Sequence, residues 1–184
     1  FMAGVMKSIE LAYQNLEPAS LYAGSFDVEE IHQNRRHRPG HMDNKANLLI
    51  ARAPDNRVVG GIVNYAIHGM AMGGEKLLFS ADVSGGIERH LEKLLVEGNS
   101  YRKPTMLFVN GAEGDVTTVY GGTEGIEKAG AIFAEKAAAV IPQMRKIDSD
   151  WKLSSITFPT PKARVNLAAC DVKIHGRPVN INIY

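Results

Sequence analysis

Gly60-Gly61-Ile62-Val63-Asn64-Tyr65-Ala66-Ile67-His68-Gly69-Met70-Ala71-Met72 runs an apolar, β-branched strand into a glycine turn and leaves one histidine where the strand ends. Imidazole titrates near neutral pH and is a common zinc ligand, and a strand's end is a place from which a side chain can enter a cleft while the sheet holds its backbone. His68 is therefore a candidate metal ligand or base, set against a plain reading as a histidine satisfied by a carbonyl at the sheet edge. Neither H-x-x-x-H nor H-E-x-x-H surrounds it.

Outward from this strand the pattern is mixed. A turn composition, Pro54-Asp55-Asn56, separates residues 58–67 from a second strand-like run at 45–53, which suits a hairpin. Residues 19–26 alternate as another strand, followed by a polar segment at 27–44. On the far side, a helix begins near Asp82 or Ser84, with Ile87, Leu91 and Leu94 at helical spacing. Pro104-Thr105-Met106-Leu107-Phe108-Val109-Asn110 reads as a buried strand, and the alanine-rich residues 125–140 as a helix closed near Pro142. Residues 151–184 return to strands. Helices alternating with strands, then several strands together, predict an α/β fold with a mixed sheet core flanked by helices.

The ends read as interruptions. Val5, Ile9, Ala12 and Leu16 recur on one face of a helix closed by Pro18, with no capping residue ahead, and Ile181-Asn182-Ile183-Tyr184 stops within a strand pattern. The expectation is that residues 1–184 are part of one larger layered α/β catalytic domain, truncated at both ends.

Composition narrows the class. With 184 residues, 45% hydrophobic and 22% charged, the chain can build one ordinary core. A net charge of +1 argues against electrostatic nucleic-acid binding, and the short basic run Arg35-Arg36-His37-Arg38 suits a solvated loop. Cys170 is the one cysteine, so neither an internal disulfide nor a thiolate metal cluster can form within the chain. No apolar run is long enough to span a bilayer. His32, His37 and His41 have no ligand spacing and are expected to be exposed; His90 is expected on a helix surface and His175 in a hairpin turn.

Gly111-Ala112-Glu113-Gly114-Asp115-Val116-Thr117-Thr118 leaves the strand at 104–110 and is a second candidate site. Small residues here let backbone N–H groups and the Thr117 hydroxyl point at one bound group. It is neither a Walker sequence nor a dinucleotide fingerprint, and a plain turn stabilised by Asp115 accounts for it equally well. Asp82 similarly suits either helix capping or a hydrogen bond to a ligand imidazole.

Four segments in order resemble the neutral/alkaline, non-lysosomal ceramidases. Asn34-Arg35 stands where that family has Asn-Arg-Ser. Ile67-His68-Gly69-Met70-Ala71-Met72 is similar to its Ile-His-Pro-x-Ser-Met. Ala81-Asp82-Val83-Ser84-Gly85 corresponds to Ser-Asp-Asn-x-Gly, and Gly114-Asp115-Val116-Thr117-Thr118 to Gly-Asp-Val-Ser-Pro. The resemblance covers roughly residues 1–122.

It implies a zinc-dependent amidohydrolase, secreted or periplasmic, that cleaves the N-acyl amide of ceramide or a related N-acylated substrate by metal-activated water. On this resemblance His68 is a zinc ligand, with the remaining ligands outside the chain. Arg35 steadies a developing oxyanion or a substrate oxygen, Gly114 and Asp115 contact substrate, Thr117 replaces the family serine, and Asp82 bonds the ligand imidazole. Gly69, Ala71, Thr117 and Thr118 depart from the family pattern. Two other readings follow from these departures: a metal-independent acyl hydrolase using Thr117, or a non-catalytic lipid- or ligand-binding domain that keeps the fold.

Overall fold

The computed structural model describes residues 2–36, 40–74, 79–96, 103–147, 173–174 and 177–178. The chain divides into two compact units, Phe1–Ser149 and Asp150–Tyr184. In the second, an antiparallel pair is formed by β8 (Lys173–Ile174) and β9 (Arg177–Pro178). The rest of the strand pattern expected over residues 151–184, His37, and His175 lie outside the described residues.

The first unit opens with α1 (Met2–Gln14), which buries no residue; Ala12 and Leu16 of the apolar stripe read from the sequence line an open cavity with Ala51 and Val59. Next come β1 (Ser20–Asp27), β2 (His32–Asn34), β3 (Lys45–Arg52), β4 (Val58–Tyr65), α2 (Asp82–Leu95), β5 (Thr105–Asn110), β6 (Val116–Thr118), α3 (Gly122–Val140) and β7 (Arg145–Lys146). A 3-10 turn at Ile141–Gln143 follows α3, with Pro142 in a position where its missing N–H costs nothing. The main sheet has the order β5-β4-β3-β1-β7, parallel between β4 and β5 and antiparallel elsewhere. An α/β fold with a mixed sheet core is what the alternation of periods predicted. The β3–β4 hairpin turns where Pro54-Asp55-Asn56 indicated, with Asn56 at φ 70, a left-handed conformation that asparagine tolerates.

One face of the sheet carries the core. Phe26, Leu48, Ile50, Val63, Tyr65 and Met106 pack against Val83, Ile87 and Leu91 of α2 and Ala129, Phe133 and Ala137 of α3. Phe133 meets both Phe26 and Tyr65 edge-on, with centroids 5.3 Å apart in each pair, the geometry that the ring quadrupoles favour. Tyr65 is fully buried and donates its hydroxyl to Val28 O at 2.9 Å; burial pushes its pKa well above the ordinary value. The helices cross closely at two glycines, since a methyl at Gly130 would stand 2.6 Å from Gly86 O.

On the opposite face a shallow groove is lined by Leu21, Leu49, Ile62 and Leu107, and the end of α1 borders the same face beside Ala51, Val59 and Thr105. This corrects the reading of residues 104–110 as a buried strand. β5 is an edge strand whose Leu107 and Val109 are exposed. An apolar run signals burial of both faces only if both are covered. The outer edge of β5 is also blunted, because Glu88 and Glu92 of α2 accept hydrogen bonds from Phe108 N (2.7 Å) and Met106 N (3.1 Å). Carboxylates there leave fewer donors for a further strand.

Candidate functional site

The site residues come together through a second, small ribbon. β2 pairs with β6 antiparallel, with Gln33 opposite Thr117 and Asn34 opposite Val116. Just beyond the end of β4, His68 forms a parallel bridge with Thr117, and its N–H reaches Val116 O at 3.3 Å. Directly paired positions project to one face of a sheet, so Gln33, Thr117 and His68 form a row on the same side. No histidine lies near Thr117 along the chain; the fold places His68 beside it.

His68 is half-buried, and the burial is uneven around its ring. Nδ1 is buried without a hydrogen-bond partner among the described residues, and its nearest acid is Glu113 Oε1 at 3.7 Å. The His68 side chain is 36% exposed, and Nε2, unlike Nδ1, is not a buried unpartnered atom. This is the disposition of a ligand or base and not of a core histidine satisfied at both nitrogens.

Asn34 clamps the loop that leaves β5. Its buried amide donates to Asp115 Oδ2 at 2.7 Å and to His41 O at 3.1 Å, while its Oδ1 accepts from Arg36 N at 2.9 Å. The backbone follows suit, with Arg35 N donating to Asp115 O at 2.7 Å. Arg35 itself is exposed; its guanidinium donates to Gly114 O at 2.8 Å and touches Met70 Sδ at 3.2 Å. Arg35, Gly114, Asp115, Thr117 and His68 thus share one corner of the molecule. The carboxylate of Asp115 is engaged by Asn34, which makes it a brace for the loop.

Asp82 serves the start of α2 but does not bond the imidazole. The residue at the α2 cap is Ala81, and Asp82 sits in the first turn at φ 52. Its carboxylate accepts from Ala71 N (3.0 Å), Met72 N (2.9 Å) and Val83 N (2.7 Å). It therefore holds the backbone of the turn that follows His68 instead of bonding the imidazole. Gly69 permits this approach, since a methyl there would lie 3.3 Å from Asp82 Cβ.

Other histidines are rearranged by the fold. His32, expected to be exposed, is buried: Nδ1 faces Ala66 O at 3.1 Å, Nε2 faces Asn44 Oδ1 at 2.9 Å, and the ring stacks on Tyr65 with centroids 5.0 Å apart. It anchors β2 to the segment leading into His68. His41 is exposed as expected, and His90 is half-buried, with Nε2 3.0 Å from Glu127 of α3. Thr118, which departs from the family's proline, is buried; Tyr120 N donates to its hydroxyl at 3.1 Å, turning the chain toward α3.

Sequence reasoning passed over Glu113, Asn110 and Gln33. Nothing in their local pattern marks them, because each is defined by what lies across a strand pair or a loop.

Among the described residues no group of three or more His, Cys, Asp or Glu could hold a metal ion. His68 fits the role of one zinc ligand, with a partly exposed side chain and a buried, unpartnered Nδ1, while a complete set needs further donors. No helix among the described residues is long and apolar enough to cross a membrane.

No family model matches the chain, and no curated protein matches it by sequence. Solved structures do. Neutral ceramidase from Pseudomonas aeruginosa superposes with a TM-score of 0.65 at 20% identity, over 77% of this chain and 25% of that one. The chain has a ceramidase-like fold. A ceramidase complexed with C2 gives the same figures, a TM-score of 0.65 and 20% identity over 77% of this chain. The chain spans about 25% of the length of these ceramidases. The likeness agrees with the order of motifs read from the sequence and with the mixed α/β sheet.

Proposed function

We propose that the chain contributes the His68–Thr117 side of the active site of a zinc-dependent amidohydrolase that cleaves the N-acyl amide of ceramide or a related N-acylated substrate. One observation carries the reading: on a ceramidase-like fold, His68, Thr117 and the Arg35–Gly114 contact meet at one corner although they come from three separate stretches of chain. Two motifs of the resemblance, around His68 and around Asp115, become neighbours.

In this reading His68 offers Nε2 to the metal, and the remaining ligands come from outside the described residues. Zinc, when bound, polarises the amide carbonyl and makes water acidic enough to react near neutral pH. Arg35 brings a fixed positive charge against the 114–117 loop, where a substrate oxygen gaining negative charge is stabilised. Thr117 presents a hydroxyl that can donate a hydrogen bond to, or accept one from, the substrate, and its β-branch restricts that hydroxyl to few rotamers. Gly114 and Asp115 shape the substrate-facing loop. A zinc amidase acting on N-acyl lipids fits a secreted or periplasmic setting.

A second reading is favoured by the pairing of Thr117 with His68. The backbones of the two residues are bridged, and a hydroxyl brought to the neighbouring imidazole would begin a nucleophile–base pair, which is the basis for a metal-independent acyl hydrolase using Thr117. A non-catalytic lipid-binding domain keeps the fold without either chemistry.

Elemental mass spectrometry on the full-length gene product, wild type beside His68→Ala, separates these readings. About one zinc per chain, lost in the variant, together with chelator-sensitive hydrolysis of an N-acylsphingosine, supports the amidohydrolase. Hydrolysis that survives chelator but is blocked by a hydroxyl-acylating reagent transfers the chemistry to Thr117. Lipid binding without metal or turnover leaves the binding domain.

A further inference from the structure

The buried, unpartnered Nδ1 of His68 is the unusual atom of the site, because buried polar atoms nearly always have a partner. A closed set of contacts surrounds it. Asn110, at the end of β5, accepts from Ile67 N at 3.2 Å and donates its amide to Glu113 Oε2. The backbone of Glu113 is fixed too, since Val116 N donates to Glu113 O at 2.9 Å. With Oε2 held by Asn110, the other carboxylate oxygen, Oε1, faces His68 Nδ1 at 3.7 Å. Each link is tied to a residue next to His68 or its bridge partner Thr117, so the carboxylate and the ring are held in one frame.

We propose that Glu113 is a positioning residue that sets His68 in the Nδ1–H tautomer, directing the Nε2 lone pair outward toward a bound cation. The neutral ring has one proton to place. On Nδ1 it faces a carboxylate 3.7 Å away, which attracts the N–H of an otherwise orphaned atom. On Nε2 it leaves a bare acceptor nitrogen buried against a negative oxygen, which costs desolvation and repulsion together. Free histidine favours Nε2–H, so the environment must reverse the intrinsic preference. A cation bound at Nε2 would make Nδ1–H a stronger donor toward Glu113, the coupling by which carboxylates orient ligand histidines. The inference rests on the proposed function only for the identity of the cation; the tautomer can be tested without it.

The test is long-range proton–nitrogen correlation NMR on the 15N-histidine-labelled chain above neutral pH, with His68→Ala assigning the signal. Wild type is expected to show Nδ1–H, Glu113→Ala to revert toward Nε2–H, and Glu113→Gln, which keeps an acceptor oxygen, to recover Nδ1–H in part. If Glu113→Ala loses the dispersed backbone spectrum, Asn110→Ala leaves the carboxylate present but unbraced and should populate both forms. An Nε2–H ring in wild type overturns the proposal, as does a tautomer unaltered by every variant that folds. In the full-length product, Glu113→Ala should weaken zinc binding by roughly 10–100-fold. If wild type shows Nδ1–H that depends on Glu113 but binds no zinc, the positioning role stands and the zinc amidohydrolase reading fails.

Discussion

Replacing Gly61 by alanine tests whether the β4 geometry that delivers His68 depends on strand approach at the glycine pair. In the β3–β4 ladder, Ala51 pairs with Gly60 and Arg52 with Val58, so Val59 is an extra residue and the strand bulges there. A bulge adds local twist and brings neighbouring backbone close. A methyl at Gly61 would lie 2.3 Å from Leu49 O, and one at Gly60 would lie 2.5 Å from Thr105 O. Both obstacles are backbone, held by ladders on either side. Reaching an ordinary 3.4 Å contact requires β3 and β4 to part by about 1.1 Å at that point. That displacement weakens the two nearest ladder hydrogen bonds, about 1 kcal/mol each, and strains a packed core by about 1–3 kcal/mol. Against this, alanine loses less backbone entropy than glycine, which offsets roughly 0.5–1 kcal/mol. The net expectation is a loss of about 2–4.5 kcal/mol. In urea unfolding followed by far-ultraviolet circular dichroism, with a slope of about 2 kcal/mol per molar, the midpoint should fall by about 1–2 M. Gly4→Ala in exposed α1, where nothing lies within 4 Å, is the control and should not lower it. A midpoint for Gly61→Ala within about 0.2 M of wild type would refute the close-approach argument.

Other expectations concern the site and its supports. Asn34→Ala leaves Asp115, His41 O and Arg36 N without their buried partner, and should cost about 2–3 kcal/mol in the same unfolding assay. Asp82→Ala removes the clasp on Ala71 and Met72, so hydrogen exchange at those two amides should accelerate about 10-fold or more while the α2 core stays protected. Thr117→Ala should slow turnover of an N-acyl substrate without releasing metal, since the hydroxyl and His68 act separately in the proposed site; loss of metal in that variant would contradict it. Acid should remove a small part of the stability. The Arg89 and His90 hydrogen bonds lower the Glu127 pKa, and that from Lys136 lowers Glu30. A depressed folded-state pKa contributes stability that is full above the ordinary carboxylate value and disappears as pH falls through the lowered one. Both pairs are about half exposed, so each should contribute less than about 1 kcal/mol, and Glu127→Gln with Glu30→Gln should flatten that part of the pH profile.

Much of the architecture was legible in local pattern. The apolar β-branched run into Gly69 marked β4, the spacing of Ile87 and Leu91 marked α2, and the alanine-rich segment marked α3, because period and propensity are properties of neighbouring residues. The order of four short motifs pointed to the ceramidase-like fold. Other features were not legible for definite reasons. β2 is three polar residues, His32–Asn34, which become a strand only by pairing with Val116–Thr118. Leu107 and Val109 look like core residues because apolarity does not say whether a second layer lies over them.

The sequence by itself determined the longer strands and helices of the first unit and supplied one imidazole, one arginine and one hydroxyl of suitable chemistry. Only the tertiary structure decided that His68 lies beside Thr117, that Asn34 holds Asp115, and that Glu113 faces Nδ1. Periodicity is encoded between near neighbours in the chain. Strand register and cross-loop contacts depend on which distant segments meet when one face of a sheet is buried, and that information belongs to the whole fold.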